Sequence, residues 1–324
     1  MHAFDYSAPS TVTDALRLAR PGSAFLAGGT TLVDLMKLDV LTPDQVIDVN
    51  RLPLRGIRMR GGLRIGALER MSDVANHPLV ASTHPMISRA LLLSASGQLR
   101  NMASIGGNLL QRTRCDYFRD VTSACNKRRP GSGCPALTGV NRGHAILGTS
   151  DSCVATHASD VAVAFVAMEA QVVLRSRDGE RTVPLEDFYL LPGSTPDREN
   201  VLAPGELIAE VVVPTLSWAR HATYLKIRDR QSYEFALTSV AAAIDVKRGV
   251  VQDVRLAAGG VGTKPWRLRA VEDALKGSVA VERTFADAAE SAVDGARPLA
   301  HNAFKTSLLK RTIVRALLDA AGVR

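Results

Sequence analysis

An α+β chain of two or three folding units follows from three features of the sequence. Its 324 residues exceed one domain of about 100–200 residues. Hydrophobic residues make up 46% and charged residues 22%, the proportions of a globular chain with a core to bury. Strand-like runs and runs of helical period both occur, and in the C-terminal third the strands precede the helices. Disorder, collagen-like repeats and a coiled coil are excluded on the same grounds, and no internal repeat or low-complexity linker is evident.

Ser23–Ala27 reads as a short strand. In the following LVDLMKL, the apolar Leu32, Val33, Leu35, Met36 and Leu38 fit a helix. A second helix is expected over Met86–Ser96. Residues 111–153, rich in Gly, Pro, Ser and Arg, carry neither period and read as a long ordered loop. Ser159 and Asp160 precede VAVAFVAM, where either would cap a helix. Val161–Met168 is also the longest clean apolar run, far short of the ~18 residues of a spanning helix. Strands are expected at Thr223–Ile227, Val240–Val246 and Val254–Gly260, then helices at Leu268–Lys276, Arg283–Val293 and Asn302–Ala320. On the last helix Phe304, Leu308, Leu317 and Leu318 share a face read as core. The opening MHAFDYSAPS has no charged or apolar leader region, so the chain is expected to carry no secretion signal of its own and no membrane insertion.

The formal net charge of +8 is unevenly spread. Segment balances run +3 over 1–110, +4 over 111–153, −6 over 154–215 and +7 over 216–324. An acidic stretch between basic ones, with aromatics at 5% and not interleaved with Lys and Arg, argues against a nucleic-acid partner. An acidic protein surface docking on a basic face is the favoured reading.

All four cysteines, Cys115, Cys125, Cys134 and Cys153, fall within 39 consecutive residues, spaced C-x9-C-x8-C-x18-C. Cysteines used as small core hydrophobes would scatter. The C-x2–4-C knuckles of zinc ribbons are missing, and without a leader an oxidising compartment is not indicated. A loop of about 40 residues needs something to organise it. Four thiolates on a [4Fe–4S] cluster would do so, with Arg112, Arg114, Arg119, Lys127, Arg128 and Arg129 offsetting its charge and Gly131 and Gly133 letting backbone approach. Ligand softness ranks that reading ahead of zinc, two disulfides and unligated thiols, all of which stay open at this point.

Two glycine turns lie within the first 110 residues. Gly28-Gly29-Thr30-Thr31 stands between strand and helix, where backbone N–H groups and a positive dipole end face an anion such as a pyrophosphate. It matches neither GxGxxG nor a Walker A loop, and a plain tight turn is the more frequent reason for such a run. Ala103-Ser104-Ile105-Gly106-Gly107-Asn108 is the second, with Ser104 and Asn108 able to bond phosphate or ribose; a glycine-bearing bulge between strands is the alternative. Together they raise a dinucleotide site. Asp160 would accept from a ribose hydroxyl or ring N–H if it is more than a helix start. Seven dispersed histidines form no HxxxH or HExxH pair, and no GxSxG nucleophile motif occurs.

The segments FLAGGTTLVDLMK, ASIGGNLLQ, THASDVAVA, PGELIAEVVVP and YLKIRDRQSYEFAL, in this order over nearly the whole chain, resemble the FAD-binding subunits of the molybdenum hydroxylases, the xanthine dehydrogenase and aldehyde oxidoreductase family. Within it, the RTRC…CNKR…PGSGC…C pattern is most similar to the flavoprotein subunits of bacterial periplasmic aldehyde oxidoreductases, where an inserted loop binds an extra [4Fe–4S] cluster. The resemblance implies a two-lobed FAD-binding domain of the vanillyl-alcohol-oxidase (PCMH) type over 1–215, with lobes at about 1–55 and 56–215 and the Fe–S insertion at 111–153. A C-terminal α+β domain of the CO-dehydrogenase flavoprotein type would cover 216–324.

By the same resemblance, Leu26, Ala27, Gly28, Gly29, Thr30, Thr31, Leu32 and Val33 wrap the FAD pyrophosphate. Ala103, Ser104, Gly107 and Asn108 form a second FAD turn, and Ser159 and Asp160 lie near the flavin and its ribityl chain. Ile208 and Lys226 flank the isoalloxazine, the lysine stabilising negative charge on the reduced ring. Cys115, Cys125, Cys134 and Cys153 are the cluster ligands. The implied function is electron transfer in a heterotrimer: aldehyde oxidised at molybdenum on a large subunit, electrons relayed by a small [2Fe–2S] subunit, FAD as the terminal two-electron carrier and the cluster as a one-electron relay to an external acceptor. Many relatives lack the cysteine insert, and this subgroup hands electrons to acceptors other than NAD. The location implied is the periplasm, by co-export with a Tat-signalled partner, and otherwise the cytoplasm. A zinc-stapled interaction module without redox function is the alternative.

Overall fold

The computed structural model describes residues 1–323; Arg324, the last residue of the expected C-terminal domain, lies outside the described residues. Its strands fall into three sheets. The first is small and parallel, of order β1-β3-β2, from β1 (Asp5–Ser7), β2 (Ser23–Leu26) and β3 (Gln45–Asp48). Parallel neighbours need crossovers, supplied by α1 (Val12–Leu18) and α2 (Leu32–Lys37). Thr11 Oγ1 caps α1 by accepting from Asp14 N (3.1 Å), and Ala15 and Leu16 pack beside Ile47.

The second sheet is antiparallel, of order β4-β5-β8-β6-β7. After β4 (Ile57–Met59) and β5 (Leu63–Gly66) the chain makes five short helices, α3 (Met71–Asn76), α4 (Pro78–Thr83), α5 (Pro85–Leu92), α6 (Gly97–Met102) and α7 (Ile105–Leu109). Pro78 and Pro85 open their helices at positions where a missing N–H costs nothing. The helix expected over Met86–Ser96 stops at Leu92. Ala95 adopts a left-handed backbone (φ +48°), and Ser96 caps α6 instead. The cysteine segment carries only α8 (Asp116–Arg119) and a 3-10 turn at Pro135–Leu137 as regular structure. Then follow α9 (Asp160–Ala167), buried at every residue, β6 (Gln171–Ser176), β7 (Gly179–Pro184), α10 (Leu185–Phe188) and the buried β8 (Leu207–Val213).

The third sheet, of order β12-β11-β10-β9, is an antiparallel meander of β9 (Ala222–Ile227), β10 (Thr238–Lys247), β11 (Val250–Gly259) and β12 (Trp266–Arg267). Arg248 and Gly249, at φ +52° and +76°, make the two-residue hairpin whose twist suits paired strands. The near-continuous apolar run of β10 has a simple cause: both faces are covered. Ala241, Ala243, Tyr224 and Ala257 join the core built on α5 and α9. Val240, Ala242, Ile244 and Leu256 join a second core with α11 (Arg269–Leu275), α12 (Glu282–Ala289), the 3-10 turn Glu290–Val293 and α13 (Phe304–Ala321). On α13 the buried stripe is Lys305, Leu309, Ile313, Ala316, Leu317 and Ala320. Of the face expected to be core, only Leu317 is fully buried; Phe304, Leu308 and Leu318 flank it half-buried, because the sheet meets the helix about a third of a turn away.

Candidate functional site

The two glycine turns meet. A Cβ on Gly28 would stand 2.0 Å from the Met102 carbonyl oxygen, so that glycine is required by the second turn's backbone. Gly29 is needed for a different reason, a left-handed backbone at φ +73°. Asn50 and Arg70 lock the junction: Asn50 Nδ2 donates to Ala27 O (2.8 Å), and Arg70 donates to Asn50 Oδ1 (3.0 Å) and to Met102 O. The second turn is not a bulge between strands. Ser104 caps α7, its Oγ accepting from Gly107 N (3.1 Å).

Between the turns opens a cavity of about 230 Å³, lined by Ala27, Gly28, Gly29, Thr30, Thr31, Leu32, Ser104, Gly107 and Ile208 among the expected residues. Ser159 and Asp160 line a second and larger cavity, of about 290 Å³, together with Ser239, Gly259 and Gly260 of the third sheet. Leu26, Val33, Ala103, Asn108 and Lys226 line neither. Asn108 links the two groups by accepting from Ser159 Oγ (2.5 Å), while Ser159 Oγ itself accepts from Ala162 N to cap α9. The intervening segment runs from Arg112 on the smaller cavity to Thr113 and Arg114 on the larger.

Lys226 and Ile208, expected to flank one ring, are apart. Ile208 lies with the glycine turns. Lys226 Nζ donates to Asp160 Oδ2 (2.8 Å) and Leu93 O (3.1 Å), with a side chain 1% exposed. Asp160 also accepts from Tyr224 Oη (2.7 Å) and Ser94 Oγ (3.0 Å). A buried carboxylate and ammonium must find each other, which draws Lys226 inward. Burial and the Asp160 charge together raise the Tyr224 hydroxyl well above its ordinary range, so it stays a donor.

The four cysteines line one narrow cavity and are free thiols. Burial raises the Cys115 thiol to about 12, and raises Cys134 and Cys153 as well. Such sulfurs ionise only when a cation replaces the proton. Among the described residues no three His, Cys, Asp or Glu side chains gather close enough to share a single metal ion. Five of the six basic residues expected to offset a cluster's charge have protein partners. Arg114 and Arg119 pair with Asp34 at 3.0 and 2.8 Å, and Arg112 and Lys127 with Glu199 at 2.5 and 2.9 Å. Arg128 donates to the carbonyls of Tyr117, Phe118 and Ser123. Their work is to fasten the insert to α2 and to the acidic stretch.

Two histidines without any spacing signal occupy these walls. His144 Nε2 lies 3.2 Å from Cys115 Sγ and lines the larger cavity. His157, half-buried, lines both that cavity and a smaller polar one of about 40 Å³ shared with Cys153, Lys127 and Glu199.

Known proteins share the sequence pattern and the fold of this chain. Residues 2–216 match the FAD binding domain in molybdopterin dehydrogenase, and residues 190–320 match the CO dehydrogenase flavoprotein C-terminal domain. The chain is 48% identical to the aldehyde oxidoreductase FAD-binding subunit PaoB of Escherichia coli, covering 99% of both chains. It is 30% identical to the glyceraldehyde dehydrogenase medium chain of Sulfolobus acidocaldarius, over 83% of this chain and 79% of that one. Among solved structures it resembles a chain of carbon monoxide dehydrogenase from Hydrogenophaga pseudoflava, with a TM-score of 0.78, 26% identity, and 99% and 98% of the two chains covered.

Proposed function

This chain belongs to the FAD-binding subunits of the molybdenum hydroxylase family, and from that premise we propose that it is the electron-transfer flavin subunit of a heterotrimeric aldehyde oxidoreductase that also holds a [4Fe–4S] cluster. When bound, FAD supplies two-electron and the cluster one-electron redox chemistry. The partners in this reading are a large molybdenum-cofactor subunit and a small [2Fe–2S] subunit, with an external acceptor taking the electrons. In this reading aldehyde oxidation belongs to the large subunit, so the chain by itself leaves aldehydes unoxidised. Periplasmic placement by co-export with a signal-bearing partner belongs to the same proposal, as does a division of the chain after residue 215.

The observation that carries the FAD assignment is the convergence of the two glycine turns on one cavity, with a second cavity joined to it through Asn108 and Ser159. In this reading Gly28–Leu32, Ser104 and Gly107 hold the pyrophosphate by backbone N–H groups. Ser159 and Asp160 orient the flavin end, Ile208 supplies an apolar wall, and Lys226 holds the Asp160 carboxylate in place. Leu26, Val33 and Ala103 back the turns from behind. For the cluster, support comes from the donor set: four cysteine side chains line one cavity.

Anaerobic purification, an absorption spectrum, and iron, sulfide, zinc and flavin analyses test this. One FAD with four irons is expected. Zinc without iron would favour the stapled-module reading, and flavin without iron would remove the cluster while leaving the FAD assignment standing.

A further inference from the structure

We propose that His144 is a positioning residue that sets the reduction potential of the sulfur site by donating its Nε2–H to Cys115 Sγ. The inference rests on the [4Fe–4S] reading above. The contact is 3.2 Å, within reach of an N–H···S bond. Cys115 is singled out by its place: it lines both the cysteine cavity and the larger cavity that Asp160 faces. A bond to this sulfur therefore acts on the wall between the two candidate redox centres.

The backbone of His144 is held by residues remote in sequence. The His144 carbonyl accepts from Lys305 Nζ (3.0 Å) and Asn302 Nδ2 (3.2 Å), both wholly buried at the start of α13. A neutral imidazole has one N–H to place, and Nε2 is the ring atom that faces the sulfur. A ligating thiolate has no hydrogen and only accepts. The contact is attractive only with the proton on Nε2. Nδ1 is buried without a partner, and as a bare acceptor it costs less there than a stranded N–H would. Hydrogen bonds to cluster sulfurs withdraw electron density, favouring the reduced and more negative state.

The test uses the full-length chain in its complex, prepared anaerobically. Iron and sulfide are assayed first: a wild-type complex with no iron beyond that of its [2Fe–2S] subunit overturns the cluster reading, and this inference with it. In iron-loaded protein, EPR-monitored titration should show the potential of His144→Leu shifted downward. A tenfold change in the reduced-to-oxidised ratio corresponds to about 59 mV for one electron. His144→Gln, which restores an N–H, should recover part of that shift. An unchanged potential in H144L, or an equal fall in both variants, overturns the proposal. If H144L loses its iron, pulsed EPR of wild type labelled with ¹⁵N-histidine decides: a coupled histidine nitrogen supports the bond, and its absence overturns it.

Discussion

His157 accepts from the Ser159 N–H through Nδ1 (3.3 Å), packs edge-on to Tyr189 with centroids 4.5 Å apart, and leaves Nε2 buried without a partner. Burial lowers its pKa from 6.5 to about 4. The sign follows: between those values the unfolded chain binds the proton and the folded chain resists it. Stability is therefore complete above pH 6.5 and falls as pH drops toward 4. The loss at about pH 5 should reach about 2 kcal/mol. Urea midpoints at about pH 7 and about pH 5 check this, and His157→Gln should flatten the difference. Nothing in the histidine spacing showed this residue, since a histidine's burial depends on segments remote in sequence. Gly28 was legible as a special glycine but not for its reason. It accommodates the Met102 carbonyl, a contact that exists only once the two turns are folded together.

At the level of elements, local chemistry was a good guide wherever a short segment settles its own fate. The strand before the first glycine turn, α2 and the Ser159 cap lie where propensity and capping put them. Two expectations failed because a neighbour decided them: the break at Ala95 and the buried face of α13. The cysteine insert is organised by side chain to backbone bonds rather than by helix or strand. Arg128 alone fastens Tyr117 O (2.6 Å), Phe118 O (2.5 Å) and Ser123 O. Replacing it by methionine leaves those carbonyls without their charged donor, at a cost of about 2–3 kcal/mol. The expected outcome for Arg128→Met is faster amide hydrogen exchange across 115–125 and iron content well below wild type, with the flavin-to-protein ratio unchanged. Equal loss of iron and flavin would place the insert's role in the whole fold instead.

Across the whole molecule, the third sheet is clasped between two cores, and its first strand carries Lys226 to Asp160 at the head of α9. The pair thus ties the C-terminal part of the chain to the wall of the larger cavity. Removing one buried partner strands the other charge, so Lys226→Met should cost about 3–5 kcal/mol. Adding Asp160→Asn should return part of that loss, because the stranded carboxylate is gone. Thermal melts of both variants check the stability claim. Flavin content should fall in each if Asp160 orients the flavin.

The amino-acid order was sufficient for the α+β class, the two glycine turns, the clustered cysteines and the resemblance that joins them, because each is a matter of composition, short-range spacing or contiguous motif. Folding was needed to show that the turns touch through Gly28 and that the four sulfurs share one cavity. It was also needed to find the insert's arginines bound to Asp34 and to carbonyls, and His144 against Cys115. Those facts are contacts between residues tens to more than a hundred positions apart. Burial, which sets charge states and hydrogen-bond partners, is a property of the packed chain and of no segment taken singly.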